Sequence, residues 1–125
     1  MNDSALRSLS ETVSQMNSLR SLNVNLLRAD TLEFRNQVPL VSVEQANLTE
    51  VTLNFWRIKT PELSTYLSRM VENCPPQIKK LDINLSYTSS KDSLLLVLIK
   101  QLPQFEQLEE FNMDCYGTQV FQGNS

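Results

Sequence analysis

An eight-residue pattern of apolar and polar positions occurs four times along the chain, beginning at Leu19, Leu48, Ile78 and Leu108. The starting positions lie 29, 30 and 30 residues apart. Each copy is apolar at its first, fourth, sixth and eighth positions and carries Asn or Asp at its seventh. A nearly constant period of about 30 residues indicates a repeat architecture, in which each unit stacks on its neighbour.

The second half of each copy alternates apolar and polar residues, which is the period of a strand with one face toward a core and one toward solvent. The sequence therefore predicts four short strands. Their inward-facing residues are expected to be Leu22, Val24 and Leu26; Val51, Leu53 and Phe55; Leu81, Ile83 and Leu85; and Phe111, Met113 and Cys115.

Three segments have apolar residues at helical spacing, one ahead of the first strand over residues 4–16 and two between later strands. The apolar positions are Leu6, Leu9, Val13 and Met16 in the first; Leu63, Leu67, Met70 and Val71 in the second; and Leu94, Leu95, Leu98 and Leu102 in the third. The spacing predicts three amphipathic helices.

Residues that favour helix starts precede each segment. They are Asn2 or Asp3 for the first helix, Thr60 followed by Pro61 for the second, and Asp92 or the Ser89–Ser90 pair for the third. The predicted stops are Pro75 with Pro76, and Pro103.

The connection over residues 27–46 breaks the pattern, because it is rich in β-branched residues and is interrupted by Pro39. We expect extended chain or one short turn there. Since the repeat length is unchanged, this segment is predicted to fill the space of a helix without being one.

Strands joined by connections of about 20 residues that contain a helix are expected to run parallel, because antiparallel partners can be joined by tight turns. Stacking such units gives a right-handed α/β solenoid. Its four parallel strands would lie on the concave side and its helices on the convex side, each unit burying its apolar face against its neighbours.

The repeated motif is LxxLxLN followed by an apolar residue. Its residues are Leu19, Leu22, Val24 and Asn25; Leu48, Val51, Leu53 and Asn54; Ile78, Leu81, Ile83 and Asn84; and Leu108, Phe111, Met113 and Asp114. Over about residues 4–116 the chain resembles the leucine-rich repeat superfamily, in the helix-containing class similar to ribonuclease inhibitor. The resemblance implies a single domain over 1–125, a horseshoe segment with repeats starting near 19, 48, 78 and 108 and a short tail over 117–125.

For function, the resemblance implies a non-catalytic adaptor that binds a protein partner. The alternative is a substrate-selecting or regulatory segment of a larger enzyme, such as a kinase or ubiquitin-ligase component.

Two registers fit the end of each strand. In one, strict alternation continues and the strands are two residues longer than is usual in the family, which the pattern favours. In the other, the column from Asn25 to Asp114 is the family's Asn ladder and Leu26 and its equivalents lie just past it.

In the longer register the outward-facing residues form three columns on the concave side. They are Ser21, Glu50, Lys80 and Glu110; Asn23, Thr52, Asp82 and Asn112; and Asn25, Asn54, Asn84 and Asp114. This polar, mildly acidic surface is either a solvated face that binds nothing or a docking surface for a protein. It lacks the Trp, Tyr and Arg that dominate interface hot spots.

Aromatic residues follow the strands instead, at Trp56, Tyr87 and Tyr116, beside Arg28 and Arg57. Two arginines on adjacent turns are either a solvated pair or a rim site for a carboxylate or phosphate. The predicted contact surface is this rim with the neighbouring strand ends. It comprises Glu50, Thr52, Asn54, Trp56, Arg57, Lys80, Asp82, Asn84, Tyr87, Glu110, Asn112 and Asp114.

Charge and composition argue against several classes of function. A net charge of -3 with a pI near 4.9 argues against nucleic acid as a partner, and the longest apolar run, residues 94–99, is too short to cross a membrane. With no histidine and only two glycines, we expect no enzyme, no metal and no cofactor. The remaining catalytic alternative is a pocket with paired acids near Asp82, Glu110 and Asp114.

The chain holds two cysteines, Cys74 and Cys115, far apart and outside any CxxC motif. We read Cys115 as a small buried hydrophobe and the protein as soluble and cytoplasmic. After the last strand only Val120 and Phe121 are apolar, so we expect a thin cap. The chain is therefore predicted to be part of a longer array, or to self-associate or meet a partner through its C-terminal strand edge.

Overall fold

The computed structural model describes residues 2–26, 33–34, 37–58, 60, 62–86, 88 and 92–114, with backbone alone for 92–95 and 97. Within these ranges the protein is a mixed α/β structure with three α-helices and one four-stranded sheet. The elements are α1 (Asp3–Ser14), β1 (Ser21–Asn25), β2 (Glu50–Asn54), α2 (Leu63–Glu72), β3 (Lys80–Asn84), α3 (Asp92–Gln101), a 3-10 turn (Leu102–Gln104) and β4 (Glu110–Asp114).

The four strands pair in chain order, β1-β2-β3-β4, and every pair is parallel. The copies align without slippage: Ser21 lies opposite Glu50, Glu50 opposite Lys80, and Lys80 opposite Glu110. The predicted parallel sheet and its register are therefore confirmed. Register holds because a slip of one residue would turn the apolar side chains of a strand toward water.

The inward-facing residues of β1, β2 and β3, together with Leu26, Phe55 and Leu85, are all buried as predicted. In β4 the prediction is only partly correct, because Phe111 and Met113 are half-buried. Cys115 lies outside the described residues. The same alternation thus gives full burial in three strands and partial burial in the last.

Each strand ends at the Asn or Asp column, so the preference for longer strands is wrong. The backbone pairing nevertheless continues for one residue. The amides of Leu26, Phe55 and Leu85 donate to the carbonyls of the seventh-position residues in the next strand, at 2.9, 2.9 and 2.6 Å. Leu26, Phe55 and Leu85 are therefore held inward although their strands have ended.

Helix α1 begins as predicted, with the Asn2 side chain accepting a hydrogen bond from the Ala5 amide at 2.9 Å. Leu6 and Val13 are buried and Leu9 is half-buried, but Met16 is 46% exposed. The helix ends at Ser14, so Met16 no longer follows the helical spacing. Its assignment to the apolar face is therefore wrong.

Helix α2 buries Leu63, Tyr66, Leu67, Met70 and Val71. Met70 and Val71 line a small cavity together with apolar residues of β2 and β3, which places α2 over the centre of the sheet.

The boundaries of α2 and α3 differ partly from the predictions. Helix α2 begins at Leu63 rather than at position 61, so the assignment of Thr60 as its capping residue is wrong. The Thr60 hydroxyl instead accepts a 3.5 Å hydrogen bond from the Glu62 amide. Asp92 is the first residue of α3. Pro61, Ser89 and Ser90 lie outside the described residues.

The predicted stops fit the structure. Helix α2 ends at Glu72, ahead of Pro75, and Pro103 falls in the 3-10 turn that follows α3. Leu98 is buried and Leu102 is half-buried.

The connection from 27 to 46 contains no helix or strand in the part that the structure describes, as expected. It still contributes Phe34, Leu40 and Val41 to the core. The Phe34 ring packs against Tyr66 at 4.7 Å between centroids and against Phe55 at 6.2 Å. An irregular segment thus supplies core side chains between α1 and α2.

Candidate functional site: the polar strand face

The twelve outward-facing strand residues form one surface, here called the polar strand face. It consists of Ser21, Asn23 and Asn25; Glu50, Thr52 and Asn54; Lys80, Asp82 and Asn84; and Glu110, Asn112 and Asp114. None of them is buried. With neighbouring parallel strands about 4.8 Å apart, the register places them in the three columns that the sequence predicts.

Charge is unevenly distributed on this face, which carries four carboxylates and one ammonium group. Lys80 lies between Glu50 on β2 and Glu110 on β4, and its Nζ is 3.3 Å from Glu110 Oε2. Both side chains of this ion pair are about half exposed, so water weakens their attraction. The face as a whole is therefore acidic, and most strongly so on β4.

The Asn column closes the turns that follow the strands. Asn54 Oδ1 accepts a hydrogen bond from the Trp56 amide at 3.0 Å, and Asn84 Oδ1 accepts one from the Ser86 amide at 2.9 Å. This is the Asx-turn geometry, in which a side chain bonds the backbone two residues on. These asparagines therefore shape the backbone as well as the surface.

Trp56 and Arg57 lie next to the polar strand face, immediately after β2. The Arg57 guanidinium carbon is 4.5 Å from the centre of the Trp56 ring, a cation–π contact. Arg57 has a φ of 65°, and its amide donates to the Ser86 carbonyl at 3.0 Å. The turn thus holds a half-buried aromatic ring against an exposed cation.

The rest of the predicted rim cannot be placed. Arg28, Tyr87 and Tyr116 lie outside the described residues. Of the predicted contact surface, the strand residues share one face and Trp56 and Arg57 adjoin it, whereas the rim site formed by Arg28 and Arg57 stays a prediction.

The carboxylates on this face do not lie directly opposite one another. Asp82 lies between Thr52 and Asn112, and Asp114 lies opposite Asn84. Glu110 lies opposite Lys80. Each acid therefore has a neutral or cationic residue directly opposite it, with Asp82 on the strand next to Glu110 and Asp114.

Two titratable groups are buried on the other side of the sheet. Burial raises the pKa of the Cys74 thiol to about 12, so this cysteine is protonated at neutral pH. Burial also raises the pKa of Tyr66 to about 12, while the nearby Ser10 hydroxyl lowers it by less. Neither hydroxyl makes a hydrogen bond of good geometry, so we regard this contact as weak.

The small cavity beside Cys74 is lined entirely by apolar side chains and sulfur, including Val51, Met70 and Ile83. It lies between α2 and the sheet rather than on the polar strand face. Among the described residues, no group of three or more metal-ligating side chains comes together. The polar strand face and its rim are therefore the candidate site.

The fold and the site define a class, an α/β protein with a parallel sheet whose exposed face is polar. Comparison with protein-family models, curated proteins and solved structures found no match. In the part of the chain that the structure describes, no helix is both long and apolar enough to span a bilayer.

Proposed function

We propose that this protein is a non-catalytic interaction module of the helix-containing leucine-rich repeat type. In this proposal the parallel sheet is the concave side of a right-handed solenoid, and a protein partner binds the polar strand face and the rim at Trp56 and Arg57. A cytoplasmic location is part of the proposal, because the Cys74 thiol is free and buried.

The repeat assignment is supported by the equivalence of the units. Residues at the same motif position lie directly opposite one another in all three strand pairs. The turn closure is also repeated, with Asn54 and Asn84 each bonding the amide two residues on. Parallel strands with helical crossovers are almost always right-handed, which supports the handedness.

One observation carries the binding proposal: twelve polar side chains stand in register on one open face, while the opposite face is buried in β1, β2 and β3 and half-buried in β4. Such a surface offers many hydrogen-bonding groups on a backbone held by the sheet, so a partner would meet groups that are already ordered. Preordered side chains reduce the entropy lost on binding.

The rim supplies the large apolar contact that the strand face lacks. Binding energy at interfaces concentrates in Trp, Tyr and Arg, and Trp56 with Arg57 is such a pair. We therefore expect the polar strand face to orient a partner and the Trp56–Arg57 pair to contribute most of the affinity.

Affinity capture with quantitative mass spectrometry, using the intact protein as bait, tests this function. The informative variants are Trp56→Ala with Arg57→Ala at the rim and Asp82→Lys on the strand face. Glu72→Lys is the matched control, because it makes the same charge change at an exposed position on α2. Calorimetry with the identified partner then measures the affinities.

The rim double variant is expected to weaken partner binding at least tenfold, and Asp82→Lys somewhat less. Glu72→Lys should leave the affinity within twofold of the unmodified protein. Equal binding by all four proteins would remove the polar strand face as the contact surface. Loss of binding in Glu72→Lys alone would move the interface to the helices.

A further inference from the structure

The outer edge of β4 is an open strand edge in the part of the chain that the structure describes. On the inner edge, the Glu110 amide donates to the Lys79 carbonyl and the Asp114 carbonyl accepts from the Leu85 amide. Because backbone groups of successive residues in a parallel strand point to alternate sides, those of Phe111 and Met113 point to the outer edge. Two donors and two acceptors are thus available for a further strand.

The apolar side of β4 also has less cover than that of its neighbours. Leu81 and Ile83 of β3 are 2% and 0% exposed, whereas Phe111 and Met113 at the equivalent positions are half-buried. On α3, Leu96 and Ile99 are also more than half exposed. A strand at this edge would therefore need apolar residues at alternate positions to complete the layer.

The charges on the polar side of β4 indicate which charge an added strand should carry. Glu110 and Asp114 project from β4 on the polar strand face, with Asn112 between them. A second copy paired antiparallel about Asn112 would place Glu110 opposite Asp114 of the other copy, twice over. Like charges directly opposite are destabilising, so a second copy fits poorly in this register.

A favourable pairing of a basic residue with an acidic residue already exists between β3 and β4. At the β3–β4 pair, Lys80 lies opposite Glu110 with its Nζ 3.3 Å from Oε2. Basic residues on an added strand would neutralise Glu110 and Asp114 from the other side in the same way.

We propose that the outer edge of β4 binds a partner segment in extended conformation, with apolar residues facing Phe111 and Met113 and basic residues facing Glu110 and Asp114. This inference rests on the proposed function as an interaction module and specifies the chemistry of one partner segment. Main-chain hydrogen bonds would supply affinity, and the alternating side chains would supply specificity.

Two synthetic peptides of identical composition test the proposal. One alternates basic and apolar residues, Lys-Ile-Lys-Val-Lys-Ile-Lys, and the other groups them, Lys-Lys-Ile-Val-Ile-Lys-Lys. Each carries a fluorescent label, and binding to the full chain is measured by anisotropy at low and moderate salt. Equal composition separates strand pairing from attraction by net charge alone.

The alternating peptide is expected to bind at least tenfold more tightly than the grouped one. N-methylation of its amides on the β4-facing side should reduce that affinity about tenfold. In Glu110→Lys with Asp114→Lys the alternating peptide should bind at least tenfold more weakly, and the acidic peptide Glu-Ile-Glu-Val-Glu-Ile-Glu should begin to bind. Both positions are exposed, so this variant is expected to fold.

The control variant is Glu11→Lys with Glu72→Lys, which makes the same charge change at exposed helical positions. It should lower the affinity for both basic peptides equally and should not bind the acidic one. Equal binding of the two basic peptides to the unmodified protein would overturn the proposal, as would no binding at all. A dimer in sedimentation that excludes the peptide would assign the edge to a second copy.

The experiments distinguish a failure of the proposed function from a failure of the inference about the β4 edge. If the rim and strand-face variants lose their captured partner while no basic peptide binds β4, the interaction module stands and only the inference about the edge is lost. If the alternating peptide binds but those variants change no partner, the edge is the binding site and the face is not.

Discussion

The two edges of the sheet are built from the same motif but are covered very differently. At the first edge, β1 buries Leu22 and Val24 to 7% exposure although it has a strand neighbour on one side only. At the last edge, Phe111 and Met113 in β4 remain half-buried. The difference shows that the motif sets which way a side chain points, whereas a neighbouring layer decides whether it is buried.

The first edge is covered because α1 and the irregular segment after β1 are tied to each other. The Asp3 carboxylate accepts hydrogen bonds from the amides of Glu33 and Phe34, both at 3.0 Å. The buried Gln45 side chain donates to the Val13 carbonyl at 2.8 Å. Leu6 and Val13 on α1 then join the core.

Removing one aromatic ring from the covered part of the sheet and one from its last edge tests the comparison most strongly. Phe55→Ala should cost about 3–5 kcal/mol of unfolding free energy, because the ring is fully buried and its loss leaves a cavity. Phe111→Ala should cost about 1 kcal/mol, because part of that ring already contacts water. Urea denaturation with equal slopes for both variants measures the difference. Equal costs would show that β4 is covered after all.

Alkaline pH should lower the unfolding free energy through groups in the interior rather than through groups at the open edge of β4. Cys74 and Tyr66 have pKa values raised by burial from 9.0 and 10.0 to about 12. Their neutral forms stabilise the fold fully below pH 9, and this contribution is lost as the pH rises toward 12. Cys74 should lower the unfolding free energy by about 1.4 kcal/mol per pH unit between pH 9 and 12, and Tyr66 should do so between pH 10 and 12.

Denaturation at a series of pH values measures this loss, and Tyr66→Phe with Cys74→Ala should make the curve flatter between pH 9 and 12. Phe111→Ala serves as the control, since it should shift the curve down without changing its slope. An unchanged slope in the double variant would mean that other groups cause the alkaline loss.

Asp3→Ala should loosen the covered edge. Hydrogen bonds to a charged acceptor are worth about 1.5–3 kcal/mol, and Asp3 holds two backbone amides, so we expect a loss of about 2 kcal/mol. Hydrogen exchange should become faster at Leu22 and Val24 before it does at Ile83. Glu11→Ala, at an exposed position on the same helix, should change neither quantity. Uniformly faster exchange in Asp3→Ala would argue against a local anchor.

Lys80→Met should have the smallest effect. The ion pair with Glu110 is about half exposed, and such pairs contribute about 0.2–1 kcal/mol. The Met side chain keeps most of the apolar stem, so the measured change reports the charge. Thermal denaturation should show the loss at low salt and none at high salt, with Lys79→Met as the neighbouring control. A loss of more than 2 kcal/mol would mean that charge, rather than the backbone ladder, holds β4.

The sheet could be predicted from the sequence because its information is local and repeated. Alternation identified the strands, and the period fixed which residues lie opposite one another, as Glu50, Lys80 and Glu110 show. The columns of the polar strand face follow directly from that register. Helices with regular spacing were found for the same reason.

What the sequence did not reveal depends on contacts between distant segments or on turn geometry. Gln45 and Asp3 are ordinary polar residues in the sequence, yet they tie down a segment about 30 residues away. The exposure of Met16 depends on where α1 ends. The contact between Trp56 and Arg57 requires a turn with positive φ at a residue other than glycine, which no periodicity indicates.

The hydrogen bonds that Asn54 and Asn84 make to their own turns affect which groups of the candidate site can donate to a ligand and which can accept. Each side-chain oxygen already accepts one backbone amide of its own turn, whereas the –NH₂ can only donate, so these side chains offer a ligand more donors than acceptors. Glu50, Asp82 and Glu110 on the remaining columns accept when ionised. A ligand crossing β2 and β3 would therefore meet amide donors at the carboxyl ends and carboxylates nearer the amino ends, whereas at β4 it would meet the Asp114 carboxylate at the carboxyl end as well.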